Sequence, residues 1–210
     1  MARSAPFAAH HRRYEAWFEH HRAAYISELL ALRPFVPYTG RGIEIGVGTG
    51  RFAGPLGVAV GVDPAPEMLA YARARGIEVV EGVAEALPFA PASFAFALVV
   101  TTICFVDAPA QMLAEAHRVL QPGGRLVLGF IDRDSALGQE YLAHQAQNVF
   151  YRAATFYRAA EVEQLLRGEH FAISGWAQTL VHPLAETHEI EPVRPGHGRG
   201  AFVVVAAERD

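Results

Sequence analysis

The sequence predicts an α/β fold: a mostly parallel sheet of seven strands with an antiparallel last strand, set behind an N-terminal helical segment. Three observations carry that prediction. From Gly42 onward, short β-branched runs alternate with helical stretches, in the order of parallel strands joined by crossover helices. The first run feeds a glycine-rich turn, Gly42-Ile43-Glu44-Ile45-Gly46-Val47-Gly48-Thr49-Gly50. The second ends in Val60-Gly61-Val62-Asp63, which places a carboxylate seventeen residues after Gly46.

Residues 1–37 read as helical, with Tyr14, Trp17, Phe18, His21 and Tyr25 recurring at spacings of three and four until Pro34 and Pro37. Strands are expected at 43–45, 58–62, 77–81, 94–100 and 126–131, with a short helix opening at Arg51 and Phe52. Between the last two strands, residues 110–120 show an apolar face of Leu113, Ala116, Val119 and Leu120, which Pro122-Gly123-Gly124 is expected to stop. Helices follow at 135–150 and 160–166, and strands at 173–180 and 201–207 close the chain as an antiparallel pair. The connection at 181–200 holds Pro183, Pro192, Pro195, Gly196, Gly198 and Gly200 and exceeds an ordinary hairpin loop, the mark of a functional or disordered segment. One domain is expected over 1–210: a helical cap over 1–40, a cofactor-binding core over 41–132, and C-terminal helices with the strand pair over 133–210.

Composition excludes several chemistries. All 18 basic residues are arginine, so no side-chain amine can form a Schiff base, and the lysines of a Walker loop and of a Tyr-Lys dehydrogenase site are missing. The single cysteine, Cys104, excludes an internal disulfide framework and a thiolate-rich metal cluster. A net charge of −4 without any basic run counts against nucleic-acid binding, and no apolar run approaches the roughly 20 residues of a membrane span. His10 to Arg13 are not followed by the apolar core of a secretory signal, so a cytoplasmic location is expected. The sequence does not indicate an oligomeric state.

The glycine turn has a physical reading of its own. Without Cβ atoms at Gly46 and Gly48 the backbone bends sharply and lies close to a ligand, and free N–H groups at the following helix start favour a carboxylate or phosphate. An acid at the C-terminal edge of the adjacent strand can accept both hydroxyls of a ribose, so the pair indicates a nucleoside-containing cofactor at the ligand edge of an open sheet.

The E-x-G-x-G-x-G of residues 44–50, Gly61-Val62-Asp63, the stretch Glu81-Gly82-Val83-Ala84-Glu85-Ala86-Leu87-Pro88-Phe89, and Glu115 through Gly124 together resemble class I S-adenosylmethionine-dependent methyltransferases. The nearest branch is that of the quinone-biosynthesis methyltransferases, and the resemblance covers about residues 40–132. It implies a Rossmann-like, doubly wound sheet, S-adenosylmethionine as cofactor, and in-line methyl transfer to an acceptor that is expected to be a small molecule. By the same resemblance Glu44 would reach the methionine amino group and the turn Gly46-Val47-Gly48 would lie against the amino-acid portion. Asp63 would hold the ribose, Ala84 and Glu85 would face the adenine, and Thr101 with Thr102 would end the fourth strand beneath the sulfonium. The chain departs from the family pattern at Val83, where an adenine-binding aspartate is common, and at Ala95, where an aspartate often follows the phenylalanine of the fourth strand. Adenine recognition is then left to backbone or to Glu85.

The remaining candidates are single residues. Tyr14 and Trp17 are candidates for the acceptor pocket, although an amphipathic helix needs such a stripe for packing alone. Cys104 and Phe105 follow the fourth strand where the methyl-transfer cavity would lie, with Cys104 equally readable as a small buried hydrophobe. His182 and His188, in the long loop beside His197, Glu189 and Glu191, are the candidates for a general base; their spacing matches no metal motif. Asp107-Ala108-Pro109 reads as a helix start. Two other functions share the glycine turn and the acid: an NAD(P)-dependent oxidoreductase, and a cofactor-binding domain without catalysis.

Overall fold

The computed structural model describes residues 4–210, so residues 1–3 of the expected helical segment lie outside the described residues. Its N-terminal part is three helices, α1 (Ala5–Ala9), α2 (His11–His20) and α3 (Arg22–Leu32), broken at His10 and His21. The aromatic stripe is therefore interrupted at His21, the residue that joins α2 to α3.

Eight strands form one sheet: β1 (Gly42–Ile45), β2 (Val60–Asp63), β3 (Glu78–Glu81), β4 (Phe94–Val100), β5 (Leu120–Ile131), β6 (Phe171–Thr179), β7 (Arg194–Pro195) and β8 (Phe202–Arg209). Their order is β3-β2-β1-β4-β5-β8-β6-β7. The first five run parallel, while β8 enters antiparallel between β5 and β6. The eighth strand, β7, is a two-residue pairing of Arg194–Pro195 with β6 inside the loop expected to be irregular.

Helices α4 (Ala53–Leu56), α5 (Pro66–Ala74), α6 (Pro109–Val119), α7 (Ala136–Ala143) and α8 (Ala159–Gly168) complete the fold. The strands alternate between two buried faces. Ile43, Ile45, Val99, Val203 and Val205 pack on the α6 and α8 side, and Phe96, Leu98, Val100, Phe202 and Val204 on the α3 side. Both faces are dry, which is why the central strands read as continuous apolar runs.

Two expectations need correction. Helix α6 ends at Val119, and Leu120 already has extended backbone and pairs with Phe94, so Pro122-Gly123-Gly124 lies within the irregular start of β5. The glycine serves that strand: a Cβ on Gly124 would stand 2.7 Å from the Gln121 carbonyl and 3.1 Å from that of Ala95. The stretch expected as one helix over 135–150 is α7, capped by the Ser135 hydroxyl accepting from the N–H of Gly138, followed by a single 3₁₀ turn at Gln145–Gln147. Asp107-Ala108-Pro109 opens α6 as expected, with Ala108 at the N-cap position, no side-chain cap, and Pro109 in the first turn.

The sheet order reverses direction between β1 and β4, whose neighbours are reached by crossovers in opposite senses. The crevice beyond the C-terminal ends of these two strands is where an open α/β sheet admits a ligand.

Candidate cofactor and acceptor site

Gly46 and Val47 donate their N–H groups to the Val62 carbonyl at 2.8 and 3.0 Å, which ties the turn after β1 to β2. Gly46 adopts φ +76°, and a Cβ there would lie 2.2 Å from Thr102 Oγ1, so the turn is pressed against the end of β4. Gly48, at φ +50°, donates to Asp63 Oδ2 at 3.0 Å, and Asp63 Oδ1 accepts from Ala65 at 2.9 Å. Burial pushes the Asp63 carboxyl up to about 6 against the pull of those two N–H donors.

Glu44 is 1 % exposed, and its Oε2 has no hydrogen-bond partner among the described residues. Burial holds its carboxyl well above the usual carboxylate range, opposed by the backbone N–H of Ala53. A buried, half-satisfied acid beside a glycine cradle suits a cationic group such as an α-amino group. Thr101, at the switch point, takes a left-handed φ of +53°, its N–H donating to Gly129 at 2.7 Å. Left-handed non-glycine residues concentrate at ligand sites.

These elements border a cavity of about 500 Å³. Of the expected cofactor residues, Gly46, Gly48, Asp63, Ala84, Glu85 and Thr101 line it, together with Thr102. Glu44 and Val47 do not: Glu44 lies beneath the turn, and the Val47 side chain packs under Gly61, where a Cβ would meet it at 2.6 Å. The Glu85 carboxylate is engaged on protein, its Oε1 accepting from Asp107 at 2.9 Å in the approach to α6. Glu115 and Arg118 fix the other end of that segment, through the N–H of Leu87 at 2.7 Å and the carbonyls of Leu87 and Phe89 at 2.9 and 2.7 Å. Ala95 sits at the opposite end of β4, against Gly40, so its departure from the family pattern lies away from the ligand edge.

Much of the rest of the cavity wall is aromatic, and Tyr14 reaches the glycine turn itself, its hydroxyl 3.7 Å from where a Cβ on Gly48 would stand. Tyr14, Trp17 and Phe105 line the cavity, as do Phe7, Phe18, Phe150, Tyr141 and Tyr151. The Phe7 ring of α1 meets those of Tyr14 and Phe105 edge-on at 5.6 and 4.8 Å and that of Phe150, tilted, at 5.2 Å, which closes this side of the cavity. Cys104 lies outside, on a smaller void, with Sγ donating to the Thr101 carbonyl at 2.9 Å.

His182 and His188 also lie outside the cavity. The His182 ring meets Glu191 Oε1 at 3.2 Å, and the loop instead contributes Leu180 and Leu184 to the wall. Sequence reasoning missed Glu28, which lines the cavity at 5 % exposure, and the pair Tyr141 and Tyr151. Glu28 had a signal: it stands four residues after Ala24 and four before Leu32, on the buried stripe of α3, where a carboxylate is out of place. Tyr141 and Tyr151 had none, because their rings meet, 4.6 Å apart, only through the tertiary fold.

Residues 43–128 match the family model described as a methyltransferase domain. A solved structure from Thermotoga maritima, described as an SAM-dependent methyltransferase and possible histamine N-methyltransferase, is 48 % identical and superposes with a TM-score of 0.95 over 98 % of this chain and 99 % of that one. An uncharacterised protein of Methanocaldococcus jannaschii is 41 % identical over 93 % of this chain and 95 % of its own length. The malonyl-[acyl-carrier protein] O-methyltransferase of Methylococcus capsulatus is 30 % identical over 69 % of this chain and 56 % of its own.

Proposed function

The chain belongs to the S-adenosylmethionine-dependent methyltransferases, and from that premise we propose that it methylates a small molecule held in the aromatic part of the cavity. The observation that carries this reading is the continuity of one cavity, from Gly46, Gly48 and Asp63 past Thr101 to Tyr14, Trp17 and Tyr141. A space of about 500 Å³ that must hold the cofactor and its acceptor together leaves room for a compact acceptor.

When bound, S-adenosylmethionine supplies an electrophilic methyl group whose sulfur leaves neutral. The protein then has to align the acceptor and keep water out, and alignment alone is worth on the order of 7 to 11 kcal/mol in the best intramolecular models. In this reading Glu44 attracts the amino group from beneath the turn, and the backbone of Gly46, Val47 and Gly48 cradles the amino-acid portion. Asp63 offers its remaining lone pairs to the ribose hydroxyls. Ala84 borders the adenine through backbone, and Thr101 holds the end of β4 in the bend that opens the crevice. Glu85 acts indirectly, by holding the approach to α6 against the Ala84 segment.

Aromatic walls favour an acceptor with a flat ring, which also suits the quinone-biosynthesis branch that the core motifs resemble. The name of the Thermotoga relative points to a small ring-bearing acceptor as well. That of the Methylococcus relative points to an acceptor carried on protein. A cytoplasmic location goes with this reading and suits a sequence with a single cysteine. Among the described residues no helix is long and apolar enough to cross a membrane.

Incubating the enzyme with methyl-labelled cofactor and a fractionated cell extract tests the proposal. Label is expected in the low-molecular-weight fraction; label confined to protein would overturn it.

A further inference from the structure

The cavity contains an acid that holding the cofactor does not require. Glu28 lies on α3 in the cavity wall, where burial is the sole influence on its carboxyl and, among the described residues, no cation or hydrogen-bond donor offsets it. A buried carboxyl without a partner destabilises the fold, since its charged form loses water and gains nothing in return. Burial accordingly pushes Glu28 up to about 8. The groups that feel its charge are hydroxyls, those of Tyr14 on α2, Tyr25 on α3, Tyr141 on α7 and Tyr151 beyond it. Elsewhere on the cavity wall the titratable or charged side chains are Arg13, His20, His21, Asp63 and Glu85. His21 is held below the usual histidine range, by burial first and by His20 second.

One acid enclosed by aromatic faces is the chemistry that recognises an organic ammonium ion: the rings present negative faces, and the carboxylate accepts a charge-assisted hydrogen bond. A phenolate would be repelled at the same place, and a neutral quinone would gain nothing from the charge.

We propose that Glu28 selects a protonatable nitrogen as the methyl acceptor, binding the ammonium of a small ring-bearing amine and taking from it the proton that frees the lone pair. The inference rests on the small-molecule reading above. The ammonium R–NH₃⁺ passes one proton to the Glu28 carboxylate, giving R–NH₂ and a neutral acid. The nitrogen lone pair then forms the new N–C bond as the C–S bond breaks, and its electron pair stays on sulfur. The product is R–NH₂–CH₃⁺ and a neutral thioether, and Glu28 returns its proton to solvent as product leaves.

The test is calorimetric titration of the protein saturated with S-adenosylhomocysteine, using matched pairs of arylalkyl amines and the corresponding alcohols: phenylethyl, indolylethyl and imidazolylethyl. Amines are expected to bind at least about tenfold tighter than their alcohols. Comparing buffers of different ionisation enthalpy near about pH 7, amine binding is expected to release a proton, because the acid must ionise to pair; the release fades above about pH 9. Glu28→Gln is expected to bind S-adenosylhomocysteine as the wild type does while losing both the preference and the proton release. Equal binding of amines and alcohols, no amine binding by any member, or a preference that survives in Glu28→Gln would overturn the proposal. Failure of S-adenosylhomocysteine itself to bind would instead strike the methyltransferase assignment on which the proposal rests.

Discussion

Gly48 donates its N–H to Asp63 Oδ2 at 3.0 Å, so the turn after the first strand and the acid that ends the second are one assembly before any ligand arrives. Asp63→Ala leaves the N–H groups of Gly48 and Ala65 without their acceptor. A loss of about 1 to 3 kcal/mol in stability is expected, measurable by urea unfolding, together with loss of cofactor affinity.

The same acid predicts a pH dependence. Its folded value of about 6 lies above that of an unfolded aspartate, so between these values the native state holds a proton that the unfolded chain releases. Stability of the ligand-free protein therefore falls as pH rises from about 4 to 6, and Asp63→Asn flattens that slope. Thermal unfolding across this window checks it; a steeper slope in the variant would count against the assignment.

Two glycines of the turn separate folding from binding. Gly46→Ala forces a Cβ to 2.2 Å from Thr102 Oγ1 at φ +76°, and is expected to lose about 2 to 4 kcal/mol of stability. At Gly48 the nearest atom to a Cβ is Met68 Cε at 3.5 Å, so Gly48→Ala is expected to cost only about 1 kcal/mol of stability while impairing cofactor binding more than Gly46→Ala does per unit of unfolding. Denaturation and S-adenosylhomocysteine titration on both variants give the comparison.

Glu44 reaches no partner through Oε2, and burial holds its carboxyl well above the usual carboxylate range. Replacing it with glutamine removes an acid that the ligand-free fold does not use. Glu44→Gln is expected to be at least as stable as the wild type and to bind the cofactor about tenfold more weakly or worse. A variant with normal affinity would remove Glu44 from the site.

The core of this protein was readable from one chain because its cofactor half is local. Gly46, Gly48 and Asp63 belong to two adjacent strand ends, and strand alternation with glycine placement puts them side by side without knowledge of anything distant. The acceptor half is assembled from α2, α3, α7 and the loop after β6, which no periodicity joins. Histidines stood out in that loop by their chemistry, yet the fold turns His182 to Glu191 and sends Leu180 and Leu184 inward. The helix before Pro122-Gly123-Gly124 ends within one residue of where the sequence places it, but the same residues also form the bulged start of β5, which sequence pattern alone does not separate from a loop.

Glu191 organises the loop that those histidines occupy. Buried at 6 % exposure, it accepts from the N–H of Val181 at 2.6 Å and from Thr187 Oγ1 at 3.3 Å, while its own N–H donates to Ser27 Oγ at 2.8 Å, one residue from Glu28. Glu191→Ala is expected to lower stability by about 2 kcal/mol and to raise KM for the acceptor with cofactor affinity unchanged. Hydrogen exchange should show residues 180–191 losing protection first.

In the proposed function the assembly of Gly46, Gly48 and Asp63 holds S-adenosylmethionine. Calorimetric titration of the purified protein with S-adenosylmethionine and S-adenosylhomocysteine, with NADH as control and Asp63→Ala alongside, tests it most directly. Saturable binding of both sulfur nucleosides, lost in the variant, and no heat from NADH are expected. Binding of NADH in their place, or sulfur-nucleoside binding untouched by Asp63→Ala, would contradict it.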